Sequence, residues 1–222
     1  MNKQRLAIGL VVLGVVLAAS AFAALRFGPF FGSKSAEDKS NWLMTSAAPH
    51  EPPARGVPFA LVDHTGRQVT GKDYADGFML VFFGYTFCPD ICPTELQTMS
   101  EAMDLLGPAA LKLRPIFITV DPERDTVEVL ADYVEAFHPR LIGLTGTAKQ
   151  IAAVAKVYGA GYMKLSIPVP DEDGEGAGDY GMGHSATLYL VALDGRILTT
   201  YPRGITPEHL AADLRRFLEA GA

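Results

Sequence analysis

Six consecutive residues, Met79-Leu80-Val81-Phe82-Phe83-Gly84, offer water no polar side chain. A strand with one solvated face alternates apolar and polar positions. An unbroken apolar run of this length, closed by glycine, fits a central strand covered on both faces of a helix-flanked sheet. Directly after it stands Tyr85-Thr86-Phe87-Cys88-Pro89-Asp90-Ile91-Cys92-Pro93. Leu96, Met99, Met103 and Leu106 then recur at three- and four-residue spacing, which predicts an amphipathic helix from Pro93 to about Leu106. The intervening loop therefore lies beyond the carboxyl end of a central strand, where open α/β sheets carry ligand and redox sites.

The flanking segments complete the sheet. Phe59–Val62 and Arg67–Thr70 bracket the polar turn Asp63-His64-Thr65-Gly66 and read as a β-hairpin. Leu113–Val120 and Leu141–Thr145 are apolar strands, each followed by a helical pattern, Thr126–Phe137 and Thr147–Tyr158. Ala186–Leu193 and Arg196–Tyr201 flank the turn dipeptide Asp194-Gly195, and Thr206–Leu218 closes the chain as a helix with Pro207 at its start. The order is ββ, three βα units, then ββα. It predicts an α/β, thioredoxin-like fold: a mixed central sheet flanked by helices, with an additional N-terminal β-hairpin. Pro168–Asp179, where Asp171, Glu172, Asp173, Glu175 and Asp179 crowd among glycines, is expected to be an exposed loop.

The first residues read as an address. Lys3 and Arg5 precede Leu6–Leu25, a run without charge and long enough for a bilayer core at about 1.5 Å per residue. Residues 1–28 are expected to be a membrane anchor, or else a signal sequence cleaved near Ala21-Phe22-Ala23, with the rest of the chain exported. Residues 29–55 read as a flexible linker and 56–222 as one domain. A net charge of −6 without any block of Lys or Arg excludes a nucleic-acid partner.

Two cysteines in 222 residues cannot form a disulfide scaffold, so their closeness carries information. With Pro93 as the first helical residue, Cys92 sits near the cap, and the positive end of the helix favours thiolate over thiol. Two thiolates held this close either form a disulfide or grip a soft metal ion. The spacing is one residue longer than C-x-x-C, which makes room for a metal between the sulfurs. A plain stabilising disulfide gains little from so short a loop. Copper favours sulfur with an imidazole, and His184, between the acidic segment and the strand Ala186–Leu193, is the candidate. His50, His64, His138 and His209 lie in linker, turn or helix-end contexts, and Met182 reads as a loop or core residue. Asp121, in Asp121-Pro122-Glu123-Arg124-Asp125-Thr126, lies at the same sheet edge and is expected to orient or tune the site from behind the ligands, with Asp125 or Thr126 capping the next helix.

These three blocks, Gly84–Pro93, Asp121–Thr126 and Asp179-Tyr180 … His184-Ser185, resemble the Sco/SenC family of copper-binding proteins over roughly Pro58 to the C-terminus. The resemblance implies a membrane-anchored copper chaperone that serves the dinuclear copper centre of cytochrome c oxidase. Cys88, Cys92 and His184 would hold the copper ion, received from an upstream copper donor and passed to the copper-bearing oxidase subunit. The N-terminal segment places the domain in an exported, oxidising compartment, with the bacterial periplasm the expected one. Gly183 departs from the family, which usually has an acidic residue directly before the histidine. The competing reading is a thiol–disulfide oxidoreductase that keeps partner cysteines reduced, with either cysteine attacking. A peroxidase would have to resolve its sulfenic acid within the same pair.

Overall fold

The computed structural model describes residues 59–165 and 180–221. The segments expected to form the anchor and linker, and the whole of the acidic segment Pro168–Asp179, lie outside the described residues. Among the described residues, no helix is long and apolar enough to cross a membrane.

The central strand is β3, Phe78–Gly84, buried at every position. It pairs in parallel with β4 (Leu113–Thr119), which pairs in parallel with β5 (Ile142–Thr145). The N-terminal hairpin, β1 (Ala60–Asp63) and β2 (Gln68–Thr70), adds to β5 in antiparallel fashion. β8 (Leu188–Val191) and β9 (Ile197–Tyr201) extend the other side, again antiparallel. The seven-stranded order is β2-β1-β5-β4-β3-β8-β9, with β3 and β4 well inside it. The helices are α1 (Ile91–Leu106), α2 (Val127–Glu135), α3 (Ala148–Tyr158) and α4 (Pro207–Ala220). This is the mixed sheet expected from the hydrophobic patterning.

Successive residues of β3 serve opposite faces. Phe82 stacks on Phe117 of β4, which meets Tyr133 of α2. Phe83 points the other way, against Tyr158 of α3 and Tyr189 of β8. α1 buries Leu96, Met99, Met103 and Leu106 and packs along α4, whose Leu210, Leu214 and Leu218 are fully enclosed.

Two features depart from the sequence reading. α1 begins at Ile91, so Cys92 lies inside its first turn and Pro93 is the third helical residue. First-turn N–H groups have no intrahelical acceptor, so proline costs no hydrogen bond there. Complete burial of the Cys92 side chain outweighs the local bias of a pre-proline residue against helix. The second departure is a separate two-stranded antiparallel sheet, β6 (Tyr162–Leu165) with β7 (Gly181–His184). The segment around His184, to which the sequence pattern assigns no element, is therefore a strand.

The loop after β3 is held by one carboxylate. Asp125, fully buried, accepts hydrogen bonds from the Thr86 backbone N–H (3.0 Å), the Thr86 hydroxyl (2.6 Å) and the Thr119 hydroxyl at the end of β4 (2.5 Å). Its own carbonyl accepts from the Thr145 hydroxyl at the end of β5 (2.9 Å). Thr126, not Asp125, caps α2, accepting from the Val129 N–H. Asp125→Ala leaves one buried donor, the Thr119 hydroxyl, and two half-buried donors on Thr86 without their acceptor, a buried one costing about 1–3 kcal/mol. The expected loss in unfolding free energy is about 3 kcal/mol or more, measurable by urea denaturation. A loss below about 1 kcal/mol would show that the carboxylate does not anchor this loop.

Candidate metal centre

Cys88, Cys92 and His184 meet at the carboxyl end of β3. Their two sulfurs and one ring nitrogen all lie within 4.8 Å of one another. Among the described residues this is the one group of three His, Cys, Asp or Glu side chains placed to hold a metal ion. Both cysteines are free thiols.

Each donor is placed by a different element. Cys92 projects from the first turn of α1 beneath the end of β3, and a Cβ on Gly84 would come within 2.8 Å of both its sulfur and the Phe117 ring. Gly84 is thus required by close approach. Cys88 precedes the helix, and its sulfur accepts the Cys92 backbone N–H at 3.4 Å. That N–H belongs to the positive end of α1. His184 ends β7, with Cys92 Sγ 3.2 Å from its Nε2. The rings of Phe82 and Tyr85 meet it edge-on at 6.0 and 5.8 Å between centroids. Its Nδ1 lies 3.2 Å from the Ser185 carbonyl. A carbonyl only accepts, so this contact calls for the proton on Nδ1; the tautomer that satisfies it turns the Nε2 lone pair toward the thiols, as a metal ligand requires.

The two thiols differ. Cys92 is fully enclosed, whereas Cys88 is partly exposed. Hydrogen bonding between the Cys92 thiol and the Cys88 sulfur is the largest influence on both. It holds Cys88 well below the usual thiol range, against the opposing effect of burial, and pushes Cys92 up, where burial acts in the same direction. The pair is therefore one accessible thiolate beside one buried thiol. Soft sulfur donors and a neutral imidazole suit a thiophilic ion such as copper, and three donors fall short of the four a structural zinc takes.

Asp121 is 3% exposed, and its carboxylate turns to the Arg124 guanidinium and the Tyr180 hydroxyl, with Tyr180 donating at 2.6 Å. The hydroxyl remains a donor because burial and the Asp121 carboxylate both push its pKa up. Position 183 faces away from the site: a Cβ there would meet Met163 and Leu165, on the opposite side of the hairpin from His184. The glycine that replaces the family's acidic residue therefore removes nothing from the His184 side of the hairpin. Among the other histidines, His64 Nδ1 accepts from the Gly143 N–H and His138 Nδ1 from the Arg140 N–H, both local structural bonds. His50 lies outside the described residues.

Sequence reasoning missed the roles of Asp125 and Tyr180. The one signal for Asp125 was Thr119, a hydroxyl in an otherwise apolar strand end, which needs a buried partner. Tyr180 carried none beyond its place with His184 in the third block of the family resemblance.

The SCO1/SenC family model matches residues 47–219. The chain belongs to the SCO1/SenC family. It is 43% identical over 164 residues to the mitochondrial protein SCO2 homolog of Bos taurus, covering 73% of this chain and 59% of that protein. It is 39% identical over 164 residues to the mitochondrial protein SCO1 homolog of Homo sapiens, covering 73% and 52%. The chain thus spans little more than half the length of those relatives. Among solved structures, ScoI of Bradyrhizobium japonicum with copper bound is 43% identical, with a TM-score of 0.65, covering 74% of this chain and 99% of that one. Copper-bound ScoI of Arabidopsis thaliana is 36% identical, with a TM-score of 0.67, covering 75% and 99%.

A lowered Cys88 has a direct consequence. An ordinary thiol loses roughly 75-fold of its thiolate between pH 8 and pH 6. In the reduced protein, Cys88 alkylation by iodoacetamide, followed by mass spectrometry, is expected to slow less than about threefold over that interval. A slowing near 75-fold would mean that the neighbouring groups do not stabilise the thiolate.

Proposed function

We propose that this chain is a copper-binding chaperone that carries copper on Cys88, Cys92 and His184 and delivers it to the dinuclear copper centre of cytochrome c oxidase. The observation that carries the reading is the donor set itself: two sulfurs and the lone-pair nitrogen of an imidazole, converged within 4.8 Å. Copper is the cargo here, and the residues suit both its capture and its release. Cys92 lies in the interior, while Cys88 and His184 are partly exposed. An incoming partner can therefore replace ligands from the Cys88 and His184 side without unfolding the domain. Relatives solved with copper bound support this choice of ion.

On this reading the domain of residues 56–222 is exported and tethered by residues 1–28 through the linker 29–55, in the bacterial periplasm. Copper arrives from an upstream donor and leaves to the copper-bearing oxidase subunit. Asp121 acts behind the ligands, through Arg124 and Tyr180.

A second reading, thiol–disulfide oxidoreductase, is favoured by the asymmetry of the pair. Cys88 is the exposed thiolate that attacks a partner disulfide, forming a mixed disulfide and releasing one partner thiol. Cys92 then displaces the second partner sulfur, leaving a Cys88–Cys92 disulfide, with two electrons passed to the partner, one proton supplied by the Cys92 thiol and the other by solvent. The oxidised pair cannot bind copper, so the two activities alternate on one molecule.

Titration of the reduced full-length chain in detergent with Cu(I), against a competing chelator, tests the reading. Wild type is expected to hold one ion per chain. Cys88→Ser, Cys92→Ser and His184→Ala are each expected to weaken it by more than the roughly 10–100-fold typical of losing an outer hydrogen-bond partner. Wild type that holds no copper, or His184→Ala that holds it equally well, would refute the three-donor site. Fast disulfide reduction by copper-free protein would favour the oxidoreductase.

A further inference from the structure

His184 sits on a sheet of its own. Among the described residues, the β6–β7 hairpin pairs with no strand of the seven-stranded sheet. The geometry of the site therefore depends on what fixes this hairpin over the thiol loop.

The fixing contacts gather on the segment Asp121–Arg124, between β4 and α2. Tyr180, immediately before β7, donates to Asp121 at 2.6 Å. Its ring lies between two cations, with Arg124 Cζ at 3.9 Å and Lys164 Nζ at 3.6 Å from the centroid. Lys164 belongs to β6 and forms an ion pair with Glu123 at 2.9 Å. Both strands of the hairpin are thus tied to this one segment. Arg124, ion-paired with Asp121, also stands 4.9 Å from the Phe87 ring and 5.8 Å from that of Tyr85. Phe87 neighbours Cys88 in the chain and is 58% exposed, so little else encloses its ring. Tyr85 meets His184 edge-on.

We infer that Arg124 and Tyr180 form a clasp that joins the thiol loop to the histidine hairpin and so sets the position of His184 relative to Cys88 and Cys92. Arg124 is common to both sides, with Phe87 on the cysteine loop and Tyr180 at the root of the histidine strand. Asp121 orients both clasp members through its two oxygens. Each cation–aromatic contact lies within the roughly 6 Å at which a ring face attracts a guanidinium or ammonium group. The contacts that define the clasp are with Asp121, Tyr85 and Phe87, none of them a metal ligand, so Arg124 and Tyr180 act as positioning residues. The inference rests on the proposed copper reading for its purpose, though not for its geometry.

The test compares the full-length wild type, Tyr180→Ala and Tyr180→Phe, first without copper. Tyr180→Phe keeps a ring between the two cations and loses only the hydroxyl. In Tyr180→Ala, amide hydrogen exchange in Tyr162–Leu165 and Gly181–His184 is expected to quicken about tenfold and the His184 ring nitrogen signals to move. Exchange in β3 and β4 is expected to stay at wild-type rates, and Tyr180→Phe to fall between the other two. With Cu(I) loaded, loss of copper to a chelator is expected to quicken on the order of tenfold in Tyr180→Ala, the thiols still holding the ion. Unchanged hairpin exchange and unchanged His184 signals would overturn the clasp. So would equal loosening of β3 and β4 in both variants, which makes Tyr180 a general stability residue. Wild type that takes up no copper refutes the copper reading instead, and the copper-free comparison still decides the clasp.

Discussion

One buried carboxylate organises the end of the sheet on which everything else is built. Asp125 takes two hydrogen bonds from Thr86, on the loop that leaves β3, and one from Thr119, at the end of β4. Through its carbonyl it reaches Thr145 at the end of β5. Three parallel strands and the cysteine loop therefore share a single anchor. Burial raises its pKa, and the Thr119 and Thr86 donors act against that rise. A polar group taken so far from water is tolerable only with its acceptor sites filled. That requirement fixes where Thr86 sits and, two residues on, where Cys88 can go.

From that anchor the cysteine loop has little freedom. Gly84 leaves room for the Cys92 sulfur that no side chain would, and the sulfur in turn occupies the first turn of α1. Cys88 then receives a backbone N–H from that turn. The two thiols become unlike because their surroundings are unlike, one enclosed and one at the surface. This asymmetry suits metal capture and disulfide exchange alike: an accessible thiolate is both the first ligand to form and the first nucleophile to attack. What biases the pair toward metal is the third donor.

The sequence disclosed the strong periodicities and little of what depends on weak ones. β3 and α1 were legible because a wholly apolar run and a three-and-four spacing each permit one structure. The start of α1 was misplaced by two residues, because local proline rules place Cys92 at the cap whereas its complete burial draws it into the helix. The β6–β7 hairpin was not legible at all. Tyr-Met-Lys-Leu and Gly-Met-Gly-His have neither clean alternation nor β-branched residues, and their partners lie across an acidic, glycine-rich segment. The three donors were identified from residue chemistry and the family resemblance. That they converge follows only from the tertiary structure.

The division between the two sheets bears on how such a site can exchange its cargo. Cys88 and Cys92 are committed to the rigid sheet through β3, α1 and Asp125, a framework that cannot move without disturbing the core. His184 belongs to a four-residue strand of a two-stranded sheet, an arrangement that is marginal in isolation and relies on its supports. On the proposed copper reading, the imidazole is the ligand whose support can be loosened without disturbing the seven-stranded sheet, while the thiols stay in place. Placing one ligand on a separately supported hairpin lets affinity and release be set by different residues.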